Sequence, residues 1–238
     1  MRALLLDALG TLVELEPPVA PLRRELRERC GLAVSEAQAR VALRAEIAFY
    51  RAHHDEASDR VRLADLRRRA AGALRDALPA DAAAAPLDAL TEALLAALRF
   101  RPFEEVAEVL RGARERGVRL VVVSNWDVSL HDVLEETGLA PLLDGVVTSA
   151  ELGSAKPAGA IFARGLALAG AVAEEAVHVG DSVVHDVEGA LAAGIEPLLV
   201  VRDGATVDAP IPPGVRTIPT LRPLADLLDG AGPVSFSE

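Results

Sequence analysis

The chain has 238 residues, enough for one large domain or two unequal ones with a well-buried interior. Half of it is apolar but only 3% is aromatic, so Leu, Val and Ala must build the core. A net charge of −11 excludes a nucleic-acid surface, which needs a basic face and stacking aromatics, and fits a solvated acidic exterior. A single cysteine, Cys30, excludes an intrachain disulfide. The run Ala3-Leu-Leu-Leu6 is stopped by Asp7, too short for a signal h-region or a membrane span, and no other apolar stretch is long enough to span. The expectation is a cytoplasmic protein with no nucleic-acid and no membrane partner, either a monomer or a homodimer.

Along the chain, Leu4-Leu5-Leu6 reads as a fully buried parallel strand running through Asp7 into a tight turn at Gly10-Thr11. From about Pro17 to Leu98 the texture is helical, with apolar residues recurring at Leu22 and Leu26, at Leu63, Leu66, Ala70 and Leu74, and at Leu87, Leu90, Leu94 and Leu98. Ser35 followed by Gln38 predicts a capping box at the start of the second helix, and Pro79 and Pro86 interrupt the later ones. No strand is expected in this insert. From Phe103 onward helix and strand alternate: helix 104–116, strand 119–123, helix 129–137, strand 145–148, helix 160–169, strand 177–179, helix 186–193, strand 198–201, a short strand 215–218 and a last helix around 221–228. That alternation predicts an α/β fold with a doubly wound parallel sheet.

The polar residues of interest all fall after strands. Asp7, Ser124 with Asn125, and Asp181 each follow an apolar run directly, and Lys156 lies in a loop after another. In open parallel sheets the carboxyl ends of the strands line one mouth, where ligands bind. Any one of these residues alone reads as a turn former or helix cap; four at successive strand ends read as a site. Lys156 is moreover the only lysine beside twenty-four arginines. An ammonium is a compact point charge and a guanidinium a wide planar fork, so a position that holds one positive charge between two anions in a tight space keeps its lysine.

These segments resemble the motifs of the haloacid dehalogenase-like (HAD) hydrolase superfamily. Asp7-Ala-Leu-Gly-Thr-Leu12 is similar to its first motif, Val123-Ser-Asn125 to the second, Lys156-Pro157 to the third, and Gly180-Asp-Ser-Val-Val-His-Asp186 to the fourth. The resemblance covers nearly the whole chain. It implies a Rossmann-like catalytic core formed by residues 1–16 and 100–232, a small helical-bundle cap domain at 17–99, and a loose C-terminal tail at 233–238. It further implies that Asp7 is the nucleophile, forming a covalent aspartyl intermediate. Ser124 and Asn125 would bind the substrate, Lys156 would neutralise the crowded anions, and Thr11 would support the turn and the transferring group. Asp7, the backbone carbonyl of Leu9, Asp181 and Asp186 would form a Mg²⁺ site, and magnesium suits such an inventory of few carboxylates, waters and a substrate phosphate.

One position departs from the pattern. Two residues after the nucleophile the phosphatases of the family carry a second Asp as general acid and base, and here that residue is Leu9. Loss of such a group typically costs ~10²–10⁴-fold in rate. The principal expectation is a Mg²⁺-dependent phosphatase of a small phosphorylated metabolite. Its proton donor would come from elsewhere, with His53 and His54 of the insert as candidates, or its leaving group would need little protonation. A metal-independent 2-haloacid dehalogenase is the alternative, since those relatives also lack the second Asp. Against it stand Phe162, where they usually carry a tyrosine, and the acidic pair Asp181 and Asp186; Arg40 or Arg44 could cradle a halide. A member that binds phosphorylated ligands without turnover is the third reading. Schiff-base phosphonate chemistry is excluded by an insert without lysine.

Overall fold

An apolar run without polar alternation is stable as a strand only when both its faces are covered. Residues Ala3–Leu6 form such a strand, β1, every residue of which is buried. The computed structural model describes residues 1–228, and the expected tail at 233–238 lies outside them. After β1 the chain forms β2 (Val13–Leu15), then helices α1 (Val19–Cys30), α2 (Glu36–His53), α3 (Arg60–Asp76) and α4 (Leu87–Ala97). It continues through β3 (Phe100–Pro102), α5 (Val106–Glu115), β4 (Arg119–Ser124), α6 (Leu130–Glu136), β5 (Gly145–Thr148) and α7 (Ser149–Leu152). The last elements are α8 (Gly159–Ala169), β6 (Ala176–Gly180), α9 (Glu188–Ala192), β7 (Glu196–Val200), β8 (Arg216–Ile218) and α10 (Leu224–Leu228). Among the described residues no helix is long and apolar enough to cross a membrane.

Two compact units emerge. The first comprises Met1–Glu14, Pro102–Asn125 and the described residues from Leu130 to Leu228. Its six strands pair in parallel in the order β5-β4-β1-β6-β7-β8, with helices on both sides. The chain leaves β1 to one side for β4 and β5, then returns to the other side of β1 for β6, β7 and β8. The strand order therefore reverses at β1, and carboxyl ends beside such a reversal form a crevice. Helix α8 covers β1, β4 and β5, and its Ile161 and Phe162 pack with Leu5, Val121 and Val123 as a fully buried cluster.

The second unit comprises Leu15–Arg101 together with Trp126–Ser129. Within it α1 packs on α4, α2 on α3, and α3 on α4 around Leu22, Leu26, Leu74, Leu90 and Leu94. The capping box at Ser35 forms: Ser35 Oγ accepts from the Gln38 amide at 3.2 Å, and the Ser35 amide donates to Gln38 Oε1 at 2.8 Å. Asp59 caps α3 by accepting from the amides of Val61 and Arg62, each at 2.9 Å.

Three details differ from the sequence expectation. The strands β2 and β3 pair with each other as a small separate sheet, although neither segment has enough length or alternation to announce itself. The helix expected from Asp186 starts earlier, as a π-turn over Val183–Val187, and becomes α-helical only at Glu188. Ser182 Oγ caps this turn by accepting from the His185 amide at 3.0 Å, and Asp208 Oδ1 accepts from the Val183 amide at 2.7 Å. Lastly, Trp126–Ser129 belong with the helical insert rather than the sheet. Val128 clusters with Leu63 and Leu66, and Asp127 accepts from the Tyr50 hydroxyl at 2.8 Å and from the Ser129 amide at 2.6 Å.

Glu46, one helical turn before Tyr50 on α2, is only 4% exposed. Burial pushes its carboxyl up to about 7 from an ordinary 4.5. The folded chain thus holds this proton more tightly than the unfolded chain does. The associated stability is full below about pH 4.5 and is lost as pH rises through about 7. Glu46→Gln removes the ionisation, so it should stabilise the protein by about 1–3 kcal/mol at pH 8 and be nearly neutral at pH 4.5. Urea unfolding at the two pH values checks this; an effect independent of pH would contradict it.

Candidate active site

The strand register brings the expected residues together. Leu6 of β1 lies opposite Val122 of β4 and Val179 of β6. One residue further, Asp7 leaves the strand with its amide bonded to the Val179 carbonyl at 2.9 Å. Ser124 closes β4 and Asp181 follows β6, so all three polar residues stand within about one residue of the same level on neighbouring strands. Ser124 also lies opposite Thr148, the last residue of β5, after which α7 and a loop carry the chain to Lys156.

Lys156 is the centre of this arrangement. Its ammonium lies 2.6 Å from Asp7 Oδ1 and 2.6 Å from Asp186 Oδ1, with a side chain only 2% exposed. Two carboxylate oxygens at that distance from one nitrogen match a point charge and leave no room for a guanidinium plane. Burial pulls the Lys156 ammonium downward, but the two carboxylates more than offset this and hold it above the ordinary lysine range. Its backbone is equally constrained. Asn125 Oδ1 accepts from the Lys156 amide at 2.6 Å, and Asn125 Nδ2 donates to the Lys156 carbonyl at 2.9 Å. His185 Nδ1 lies 3.2 Å from the same carbonyl.

Asp186 meets three donors. Its Oδ1 receives Lys156 and, at 2.8 Å, His178 Nε2, while Oδ2 accepts from the Ser182 amide at 3.0 Å. A carboxylate oxygen only accepts here, so Nε2 carries the His178 proton. Burial pushes the Asp186 carboxyl up, but Lys156 and His178 outweigh it and leave the group well below the ordinary aspartate range. The π-turn brings this carboxylate back onto the strand end: a Cβ on Gly180 would lie 2.1 Å from Asp186 Cγ.

Asp7 differs. Its Oδ1 accepts from Ser124 Oγ at 2.9 Å and from the Lys156 ammonium at 2.6 Å. Burial, with the Asp186 charge added, holds Asp7 above the ordinary aspartate range in spite of the Lys156 ammonium. One oxygen of Asp7 is thereby fixed by two donors.

Asp7, Asp181 and Asp186 each offer an oxygen within 4.8 Å of the others, and Asp181 keeps contact with solvent. Desolvation and then the charges of Asp7 and Asp186 push Asp181 up to about 7. Three carboxylates balanced by one ammonium leave an excess of negative charge, which a hard divalent cation would relieve. Gly10 belongs to this cluster through its backbone: at φ +82 it admits only glycine comfortably, and a Cβ there would fall 2.1 Å from Asp181 Oδ2. The donor set and the close approach of Gly10 fit a cation bound by oxygen.

The remaining expected residues are placed as follows. Thr11 is fully buried, and its Oγ1 has no hydrogen-bond partner among the described residues. Leu9 is 43% exposed, an apolar side chain two residues after Asp7. Asn125, expected to bind substrate, has both polar ends of its side chain on the Lys156 backbone. His53 and His54 lie in the second unit at the end of α2. Each points Nδ1 at a carbonyl of α2, of Phe49 at 2.7 Å and of Arg51 at 3.1 Å. Sequence reasoning missed His178 and His185. A polar residue within the apolar run Val177-His-Val179 was the available signal for the first.

Comparison with known proteins gives the family and the fold. Residues 1–194 match a protein family described as haloacid dehalogenase-like hydrolase. A mouse (Mus musculus) protein, haloacid dehalogenase-like hydrolase domain-containing protein 3, is 34% identical over 62% of the chain and 61% of its own length. The ribulose-1,5-bisphosphate 5-phosphatase of Halopiger xanaduensis is 38% identical over 40% of each chain. The chain thus spans about three fifths or less of these curated relatives. A 2-haloacid dehalogenase from Pseudomonas syringae superposes with a TM-score of 0.64 at 25% identity, over 97% of this chain and 99% of its own. With most of its length matched and the four strand-end motifs drawn to one edge of the sheet, the chain belongs to the haloacid dehalogenase-like hydrolase family.

Proposed function

We propose that this hydrolase is a Mg²⁺-dependent phosphatase of a small phosphorylated metabolite, acting through an aspartyl-phosphate on Asp7. The observation that carries the reading is the cluster of Asp7, Asp181 and Asp186 around a single lysine, a charge balance suited to a divalent cation and a phosphate. Similarity to a sugar bisphosphate phosphatase points the same way. Asp7, Asp181, Asp186 and the Leu9 carbonyl would hold Mg²⁺, which supplies charge neutralisation for the phosphoryl group. The residues themselves do the rest. Ser124 and Lys156 fix Asp7 Oδ1, so that Oδ2 attacks phosphorus and the bond from phosphorus to the leaving oxygen breaks. Water then attacks the phosphorus of the aspartyl-phosphate, releasing inorganic phosphate and restoring the carboxylate. In this reading residues 17–99 act as the cap that selects the substrate, and the protein works in the cytoplasm.

Leu9 sets the limits of the chemistry. Its side chain cannot move a proton, so the leaving group must depart as a stable anion or find its proton elsewhere. An aryl phosphate should therefore be hydrolysed in Mg²⁺ about 10²-fold or more faster than an alkyl phosphate, as steady-state assays would measure. Equal rates on both would reveal an additional proton donor. Leu9→Asp should raise alkyl phosphate turnover by about 10-fold or more, and an unchanged rate would count against a missing acid as the constraint.

Leu9 and the dehalogenase neighbour favour 2-haloacid dehalogenation as a second reading, in which halide leaves without a proton. Two observations weigh against it. Arg40, a candidate halide cradle, is paired with Glu36 at 2.6 Å, and Phe162 is buried edge-on to His178 with ring centroids 5.0 Å apart. Chloropropionate turnover that persists in EDTA would overturn the phosphatase reading in its favour. Lys156→Arg should lower phosphatase turnover by about 10²-fold or more, because a fork cannot serve both carboxylates from one nitrogen. A variant that folds with the parent melting temperature and retains full activity would refute that role.

A further inference from the structure

The turn that follows the nucleophile is gripped by a residue outside the four motifs. Arg202, just beyond β7, donates through Nε to the Gly10 carbonyl at 2.9 Å and through Nη2 to the Thr11 carbonyl at 2.7 Å. Its Nη1 donates to Glu105 Oε1 at 3.0 Å, and the guanidinium carbon lies 3.3 Å from the centroid of the Phe103 ring. Glu105 is 4% exposed and also accepts from the Leu221 amide at 3.1 Å. Phe103 in turn donates its amide to the Leu12 carbonyl at 3.1 Å. One side chain thus ties the loop after β7, the start of α5 and the segment after β8 to the two peptides that follow the nucleophile loop.

Only arginine can do this. Two carbonyls and one carboxylate are met by three different nitrogens of one plane while the face of that plane stacks on an aromatic ring. Lysine keeps the charge but offers a single nitrogen. The grip matters because Gly10 packs directly against Asp181, with a Cβ-sized gap absent between them. A shift of the Gly10 peptide therefore displaces Asp181, the leading segment Asp7–Leu9, or both. We propose that Arg202 is a positioning residue for the hydrolytic reaction, holding the Gly10-Thr11 turn in the register that Asp7 and Asp181 require.

The kinetic arm of the test rests on the phosphatase reading, and a structural arm does not. In the full chain, hydrogen–deuterium exchange is followed for the amides of Gly10, Leu12 and Val13, which donate within the turn, with β4 as the internal control. Arg202→Lys should speed exchange in the turn and leave β4 unchanged. On an aryl phosphate in Mg²⁺ it should lower kcat by about 10- to 100-fold with KM little altered, as expected for misplacement of reacting groups. Phe103→Leu keeps all three hydrogen bonds and removes the stacking surface. It should give a smaller change of the same kind, and it decides the matter should Arg202→Lys not fold. Parent-like turn exchange and kcat in a folded variant would overturn the proposal. Absence of phosphate hydrolysis in the parent protein would instead overturn the phosphatase reading, leaving exchange to decide the role of Arg202.

Discussion

The ammonium of Lys156, held between two buried carboxylates, is the interaction on which the carboxyl edge of the sheet depends. Asp7 and Asp186 are each almost fully buried, and two such charges close together repel strongly where little water remains. One ammonium at 2.6 Å from both turns that repulsion into a bridge. Removing one partner of a buried ion pair typically costs about 3–5 kcal/mol because the other charge is left uncompensated. The neighbouring side chains serve this bridge. Asn125 and His185 hold the lysine backbone, His178 and Ser182 hold Asp186, and Ser124 holds the committed oxygen of Asp7.

The division of labour between the two kinds of cation follows from their shapes. Lys156 is used as a point, reaching two oxygens from one nitrogen. Arg202 is used as a plane, reaching two carbonyls and a carboxylate from three nitrogens while stacking on Phe103. A chain with twenty-four arginines and one lysine displays both uses on one structural unit. The lone lysine is explained by geometry, and the chemistry of its neighbours follows from the charge that it balances.

Some features were legible residue by residue. The uninterrupted Leu4-Leu5-Leu6 run, the strand-end position of Asp7, Ser124 and Asp181, and the Ser35–Gln38 box are local patterns, and each appears where expected. The strands β2 and β3 were not legible, since three-residue strands carry no periodicity. Nor was the π-turn after Asp181, one of whose caps, Asp208 accepting from the Val183 amide, comes from a later loop. His178 sat inside an apolar strand as a single polar interruption, and only its partner on the following turn gives it meaning.

The amino-acid sequence by itself determined the parallel sheet, the helical insert and the kinds of residue at the strand ends, because these follow from periodicity and local capping. It also carried the absence of a second acid at Leu9 and the uniqueness of Lys156. The tertiary structure alone decided which atoms meet. It gave the Asn125 amide to the Lys156 backbone, detached Trp126–Ser129 from the sheet unit, and brought Arg202 to Gly10 across nearly two hundred residues of chain. Such pairings depend on strand order, register and loop return. No local pattern encodes them, because their partners are close only once the sheet has closed around β1.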